Sequence, residues 1–186
     1  MTIPIDYEKI AAQIHEYYRL QAIKEGWKND FPMLYPELPE FMKSDNRAAA
    51  RRIGQVLSLA GLRLVPNKGA PWPLTDQACI LALIEDNIDL LGEGEHEGWT
   101  EARLRNGWRL GPCKDVAKRE SHLFAPWSQF EHQIQIKRDH LEALGQPPTK
   151  PLNKEMESEL NKDRDSVRNY VKIIAGTDYR IVEEVR

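Results

Sequence analysis

The stretch EHEGWTEARLRNGW, residues 95–108, decides how this chain is read. His96, Trp99 and Arg103 recur at spacings of three and four, which keeps their side chains on one helical face. The run closes on Gly107-Trp108, and glycine is the residue type that ends helices in a left-handed turn. The spacing predicts a stripe bearing a histidine, an aromatic ring and a guanidinium, with a second tryptophan just past the helix end. A related run, IHEYYRLQAIKEGW, stands at residues 14–27. His15, Tyr18, Gly26 and Trp27 precede His96, Trp99, Gly107 and Trp108 by 81 positions each. This is an internal repeat, and a repeat constrains the fold before any single element does.

The later parts of the two copies match at a different offset. Arg47, Arg51, Arg63 and Val65 precede Arg164, Arg168, Arg180 and Val182 by 117 positions. Each copy reads as helix, irregular loop, helix and short strand. In copy one, Asp6 is placed to cap a helix that carries Tyr7, Ile10, Ala11, Ile14, Tyr18 and Ala22 at helical spacing up to Gly26. Residues 28–44 hold three prolines and read as irregular surface chain. Asp45-Asn46 is the expected cap of a second helix, Arg47 to Ala60, which buries Ile53, Val56 and Leu57. Leu62 to Val65 follows as a strand with Arg63 facing away from the core.

Residues 66–74 read as a linker, and Thr75 is the expected cap of a helix to about Glu85 with Ile80, Leu81 and Ile84. Cys79 is expected on its apolar face. Asn87, 81 positions after Asp6, marks the start of the repeated helix. The resulting division is copy one at 1–66, linker and helix at 67–86, and copy two at 87–186 with an insertion at about 128–161. The insertion contains a predicted helix from Phe130 to Leu144 and the break GQPPTKP. The fold class is mainly α with short β-strands, built from two helix-loop-helix-strand units.

Composition narrows the function classes. With 186 residues, 41% hydrophobic content and a net charge of -3, the chain has enough apolar material for a folded core. It offers no general attraction to phosphate backbones, so no nucleic-acid polymer is expected as partner. Mean hydropathy is -0.60, and no apolar run approaches the roughly 20 residues of a spanning helix, so no membrane partner is expected either. The N-terminal MTIPIDYEK has no basic region followed by an apolar core, and Cys79 and Cys113 are too few for a disulfide framework. A reduced, cytoplasmic protein is the expectation. The five histidines, His15, His96, His122, His132 and His140, show no close ligand spacing, so no metal and no cofactor are expected. Cys113 lies beside Lys114 but lacks an evident histidine base, and no Gly-rich phosphate loop is present. A non-enzymatic role is therefore expected.

Copy two resembles the RyR repeat, a small module found in ryanodine receptors and in many short bacterial and phage proteins. The family pattern runs H-x-x-W-x-x-x-R-x-x-x-G-W-x-x-G, then a basic-Asp loop, a P-[WY] pair, a D-R pair and a final Y-R-I strand. This chain supplies His96, Trp99, Arg103, Gly107-Trp108, Gly111, Lys114-Asp115, Pro126-Trp127, Asp163-Arg164 and Tyr179-Arg180-Ile181. Copy one is similar but reduced. It keeps His15, Gly26-Trp27, Pro36 and Arg47, has Tyr18 and Ala22 where copy two has Trp99 and Arg103, and lacks the Gly and Lys-Asp loop. Ser121-His122 stands where the family has His-Pro. The resemblance implies a two-unit horseshoe, its RyR-like units related by a pseudo-twofold axis across which the terminal strands pair. Single-unit relatives would have to dimerise to make it, and homo-oligomerisation of this chain stays open.

Trp99, Arg103, Trp108, Lys114, Asp115, Trp127, Arg164 and Arg168, with Trp27 and Tyr35 as a wall from copy one, are the candidate ligand-binding residues. Indole and phenol faces stack on planar rings, and Arg gives forked donors to phosphate or carboxylate. The plainer alternative is that the tryptophans are core and that Asp163-Arg164 caps and pins a helix. RyR-like modules in bacteria and phages are associated with nucleotide-based signalling. The resemblance thus implies capture of an adenine or ADP-ribose type signal, either to sense or to sequester it. The other function class is a protein-interaction module in which insertion 128–161 docks a partner.

Overall fold

Asp6 turns the chain into its first helix, as expected. Its carboxylate accepts the backbone N–H groups of Glu8 (3.1 Å) and Lys9 (3.3 Å), which the first helical turn leaves without partners. Helix α1 spans Tyr7–Glu25 and ends where Gly26 adopts φ +70°. In the computed structural model, which describes residues 4–184, six α-helices and four short strands follow one another. After α1 come a 3-10 turn at Tyr35–Glu37, α2 at Glu40–Ser58, β1 at Leu62–Pro66 and α3 at Leu74–Asp86. Then follow α4 at Ile88–Arg105, β2 at Arg109–Leu110, β3 at Glu120–Ser121 and a second 3-10 turn at Trp127–Gln129. The chain finishes with α5 at Phe130–Ala143, α6 at Leu152–Ala175 and β4 at Tyr179–Glu183. The protein is mainly helical with a few short strands, and no described helix is long and apolar enough to cross a membrane.

Several boundaries correct the expectation. Helix α2 begins at Glu40, not at Arg47, with Pro39 at the cap position and Glu40 in the first turn. Proline lacks only an N–H that no helix start can use, and an acidic first turn suits the helix dipole. Asp45-Asn46 therefore lies inside the helix. Thr75 is not the cap of α3, which starts at Leu74 behind Pro73. Asn87 does not repeat the side-chain capping of Asp6. Its amide donates back to the Leu83 carbonyl (2.9 Å) and closes α3, while its backbone carbonyl accepts the Leu91 N–H (3.0 Å) and opens α4. Helix α6 starts at Leu152, so Asp163 is an interior helical residue and not a cap. Cys79, expected in the core, is exposed.

The chain forms two compact bodies, one from residues up to Leu91 and from Val167 onward, the other Gly92–Ser166. In the first, α1 contributes Ile10 and Ile14, α2 contributes Ile53 and Leu57, and α6 contributes Val167 and Ile174 to one apolar cluster. Strands β1 and β4 pair antiparallel, Leu62 opposite Glu183 and Leu64 opposite Ile181. Alternation turns Leu62, Leu64, Tyr179 and Ile181 into the core and leaves Arg63 exposed. The Tyr179 hydroxyl accepts the Asp6 backbone N–H at 2.7 Å, which ties the start of β4 to the start of α1. Of the five tryptophans, Trp72, in the segment read as a linker, is buried in this cluster. Trp27, expected as a pocket wall or, on the plainer alternative, as core, is 57% exposed.

The second body holds the short parallel pair β2–β3, Arg109 opposite Glu120 and Leu110 opposite Ser121. Phe124, Phe130 and Ile134 are buried in it. Lys137 and Arg138 of α5 both bind Glu155 in the first turns of α6, Arg138 at 3.0 Å.

Candidate functional site

His96, the first residue of the motif stripe, is 2% exposed. Its Nε2 lies 2.8 Å from the Ala125 carbonyl oxygen and its Nδ1 lies 3.1 Å from Asp163 Oδ2. Both neighbours are acceptors, and a neutral imidazole carries only one N–H, so the protonated ring is the form that satisfies both. Burial is the largest influence on its pKa and disfavours the charge. The hydrogen bond and negative charge of Asp163, helped by the carbonyls of Ala125 and Leu123, outweigh it and hold the pKa above the ordinary histidine value. Asp163 Oδ2 also accepts the Trp127 indole N–H at 3.0 Å. One carboxylate oxygen thus holds both a cationic ring from α4 and the aromatic ring that opens the second 3-10 turn.

The sequence allows this convergence through Gly92, one turn before His96 on α4. A Cβ there would stand 2.8 Å from the six-membered ring of Trp127 and 3.3 Å from the Arg164 side chain. The guanidinium of Arg164 lies over the Trp127 ring, 5.5 Å from its centroid, and donates to Glu157 (2.8 Å) and Asn161 (2.9 Å). Farther along α4, Trp99 is half-buried and packs on Phe124, ring centroids 5.1 Å apart. Phe124 meets Trp108 edge-on at 5.8 Å, and Arg103 covers Trp108 at 5.5 Å. Gly107, at φ +82°, makes the left-handed turn that brings Trp108 back toward this row.

A cavity of about 210 Å³ opens between α4 and α6 within this body, lined among others by Glu95, His96, Trp99, Glu159, Lys162 and Asp163. It is smaller than the roughly 300–1,000 Å³ of sites that enclose a whole drug-sized ligand, and suits a single ring system. One wall is the Trp99 indole. The polar wall holds three carboxylates with Lys162, whose ammonium is 2.6 Å from Glu159. Such a wall accepts hydrogen bonds from ring amino groups and hydroxyls, and repels a phosphate.

The ten predicted site residues divide. Trp99, Arg103, Trp108, Trp127 and Arg164 belong to the aromatic and basic row just described. Lys114 and Asp115 lie on the β2–β3 loop, where Asp115 accepts the Lys118 backbone N–H at 3.1 Å. That backbone hydrogen bond lowers the Asp115 pKa, and the residue closes a turn. Arg168 belongs to the first body and is gripped by both oxygens of Glu85, at 2.6 and 3.1 Å. Tyr35 and Trp27 also belong to the first body. The Tyr35 hydroxyl donates to Glu8 at 3.0 Å, and Arg47 donates to the same carboxylate at 2.6 Å. Burial, reinforced by Glu8, pushes the Tyr35 pKa up to about 12. Trp27 stands exposed beyond Gly26.

Three features escaped the sequence reading. Asp163 is the pivot of the second body, not a helix cap. Glu95 and Glu159 give the cavity its acidic wall. His122 is 4% exposed with neither ring nitrogen bonded, and burial, with Lys137 nearby, drives its pKa down to about 4. The adjacent Asp-Arg pair was a signal for the first; nothing in local spacing signalled the others. Among the described residues, no three His, Cys, Asp or Glu side chains are grouped to hold a metal ion. No protein-family model matches the chain.

Proposed function

We propose that this chain is a non-enzymatic binder of a nucleotide-derived signal of adenine or ADP-ribose type, a reading that combines the RyR-like motif with the cavity beside Trp99. The observation that carries it is the pairing of a half-buried indole face with a wall of carboxylates in a ring-sized cavity. An adenine amino group or ribose hydroxyls supply the donors such a wall accepts, and the indole supplies the stacking face. A phosphate end is excluded from the acidic wall, and Arg103, over Trp108 in the same row, is the donor left for it. Arg164 and Arg168 have carboxylate partners and serve the scaffold first.

Titration calorimetry with adenosine, AMP and ADP-ribose tests this. Saturable binding is expected, weakened at least tenfold by Trp99→Ala, while Arg103→Ala lowers affinity for the phosphorylated probes by about 1.5–3 kcal/mol. Absence of binding for all three probes, or affinities unchanged in both variants, overturns the reading. The protein-interaction alternative has one observation in its favour. Leu20 and Ile23, a turn apart near the end of α1, and Trp27 just past it are all at least half exposed. The insertion at 128–161, where docking was expected, exposes Leu144 as its large apolar side chain.

A further inference from the structure

The outer face of the β1–β4 ribbon carries a basic trough that the nucleotide reading does not use. With Leu62, Leu64, Tyr179 and Ile181 turned inward, the opposite face is formed by Arg63, Val65, Arg180 and Val182. The register sets Arg63 opposite Val182 and Val65 opposite Arg180. The two arginines are therefore diagonal neighbours, a relation that spans about 7–8 Å in an antiparallel pair. The register thus holds two like charges on one face of a two-stranded ribbon. Elsewhere this acidic chain sets carboxylates on its arginines, among them Arg19, Arg47, Arg109, Arg138 and Arg168. Among the described residues, Arg63 and Arg180 are the arginines whose side chains make no hydrogen bond, ion pair or ring contact. The Arg180 Nε–H is moreover shut off from solvent with no acceptor.

Both arginines line an open trough of about 570 Å³, together with Lys68 from the turn after β1 and a single carboxylate, Asp76. Three cations against one anion leave the lining at +2. Val65 and Val182 form an apolar floor and Pro71 and Pro73 a stiff wall. We propose that this trough is a ligand site for a small molecule carrying a phosphate or pyrophosphate group. Arg63 and Arg180 act as forked donors and Lys68 as a point charge. Guanidinium forks match phosphate oxygens two at a time, and two forks with a third cation call for an anion richer in oxygen than one carboxylate. The apolar floor takes the uncharged part of the ligand.

The test is a two-dimensional NMR titration of the full chain with inorganic phosphate and with pyrophosphate at constant ionic strength, with sodium chloride as the blank. Saturable shifts centred on Arg63, Lys68 and Arg180 are expected. Arg63→Gln and Arg180→Gln should each weaken pyrophosphate binding about tenfold, and the double variant should abolish it. Shifts that chloride reproduces overturn the proposal. Saturable binding that survives the double variant also overturns it, because the anion then sits elsewhere. Should Arg180→Gln fail to fold, Arg63→Gln combined with Lys68→Gln carries the same test. The trough belongs to the first body and shares no residue with the Trp99 cavity, so failure here leaves the adenosine reading standing, and the converse holds.

Discussion

His15 and His96 occupy matched positions in the two sequence copies and make the same first contact. Each sets Nε2 against the carbonyl oxygen two residues before a 3-10 turn, Met33 at 2.7 Å and Ala125 at 2.8 Å. Each turn opens on an aromatic residue whose polar atom donates to a carboxylate at 3.0 Å, Tyr35 to Glu8 and Trp127 to Asp163. The source of that carboxylate is what differs. Glu8 comes from the first turn of α1, half exposed, and serves Tyr35 and Arg47. Asp163 comes from the interior of α6 and serves Trp127 and His96 itself. The contact from histidine to carbonyl is thus the shared scaffold. Moving the carboxylate gives one of two similar buried histidines a second acceptor, beside a cavity.

The largest test of this contrast is removal of each carboxylate. Asp163→Ala should cost about 3–5 kcal/mol in urea unfolding, because it strands a buried charged ring. Glu8→Ala, at a partly exposed pair, should cost about 1 kcal/mol or less. Equal losses would break the comparison. Next in size is acid sensitivity in the loop that copy one lacks. The folded His122 pKa, depressed to about 4 from the ordinary 6.5, means that the unfolded chain binds more protons between those values. Stability from this group is present above pH 6.5 and is lost as pH falls through 4, by on the order of 3 kcal/mol. His122→Phe should flatten that acid limb of a stability–pH profile without loss at pH 7, since neither ring nitrogen gives up a partner.

His96 has the opposite sign. Its folded pKa is raised, so its contribution is complete below pH 6.5 and is lost as pH rises through the folded value. Replacement by Gln should remove that alkaline decline, and a decline that persists would place the proton elsewhere. The smallest expected effects compare the tryptophans after the two left-handed glycines. Trp108→Ala loses an edge-on ring contact and a guanidinium over its face, about 1–2 kcal/mol together. Trp27→Ala, at an exposed site, should stay within about 0.5 kcal/mol. Melting curves of the pair would decide it.

What the sequence made legible was whatever depends on neighbours along the chain. Asp6 and Gly26 bracket α1, Gly107 ends α4, α5 starts at Phe130, and β1 falls where alternation puts it, with β4 where the 117-position offset puts it. The failures have particular causes. Pro39 was counted as a breaker, yet at a cap position proline starts a helix. Cys79 sits on α3, where apolar residues nearly surround the helix, so periodicity could not choose its buried face. Leu152, Met156 and Leu160 continue the apolar stripe of α6 upstream of Asp163, but the insertion between the copies masked that continuity. The Asp-Arg pair flagged Asp163 but not its partner, because Trp127 and Asp163 meet across 36 positions and no local pattern encodes that meeting.

The ribbon also sets when the first body can be finished. Strand β1 waits for a partner about 120 positions downstream, beyond every helix of the chain. Closing so long a loop carries an entropic penalty that only the completed apolar cluster repays. Helices α1 and α2 are local and can associate early during synthesis, but Leu62 and Leu64 stay unpaired until Tyr179 and Ile181 arrive. The ribbon is accordingly a late clasp. Truncation before Tyr179 should leave a collapsed, aggregation-prone intermediate, and substitutions in β4 should speed unfolding more than they slow folding.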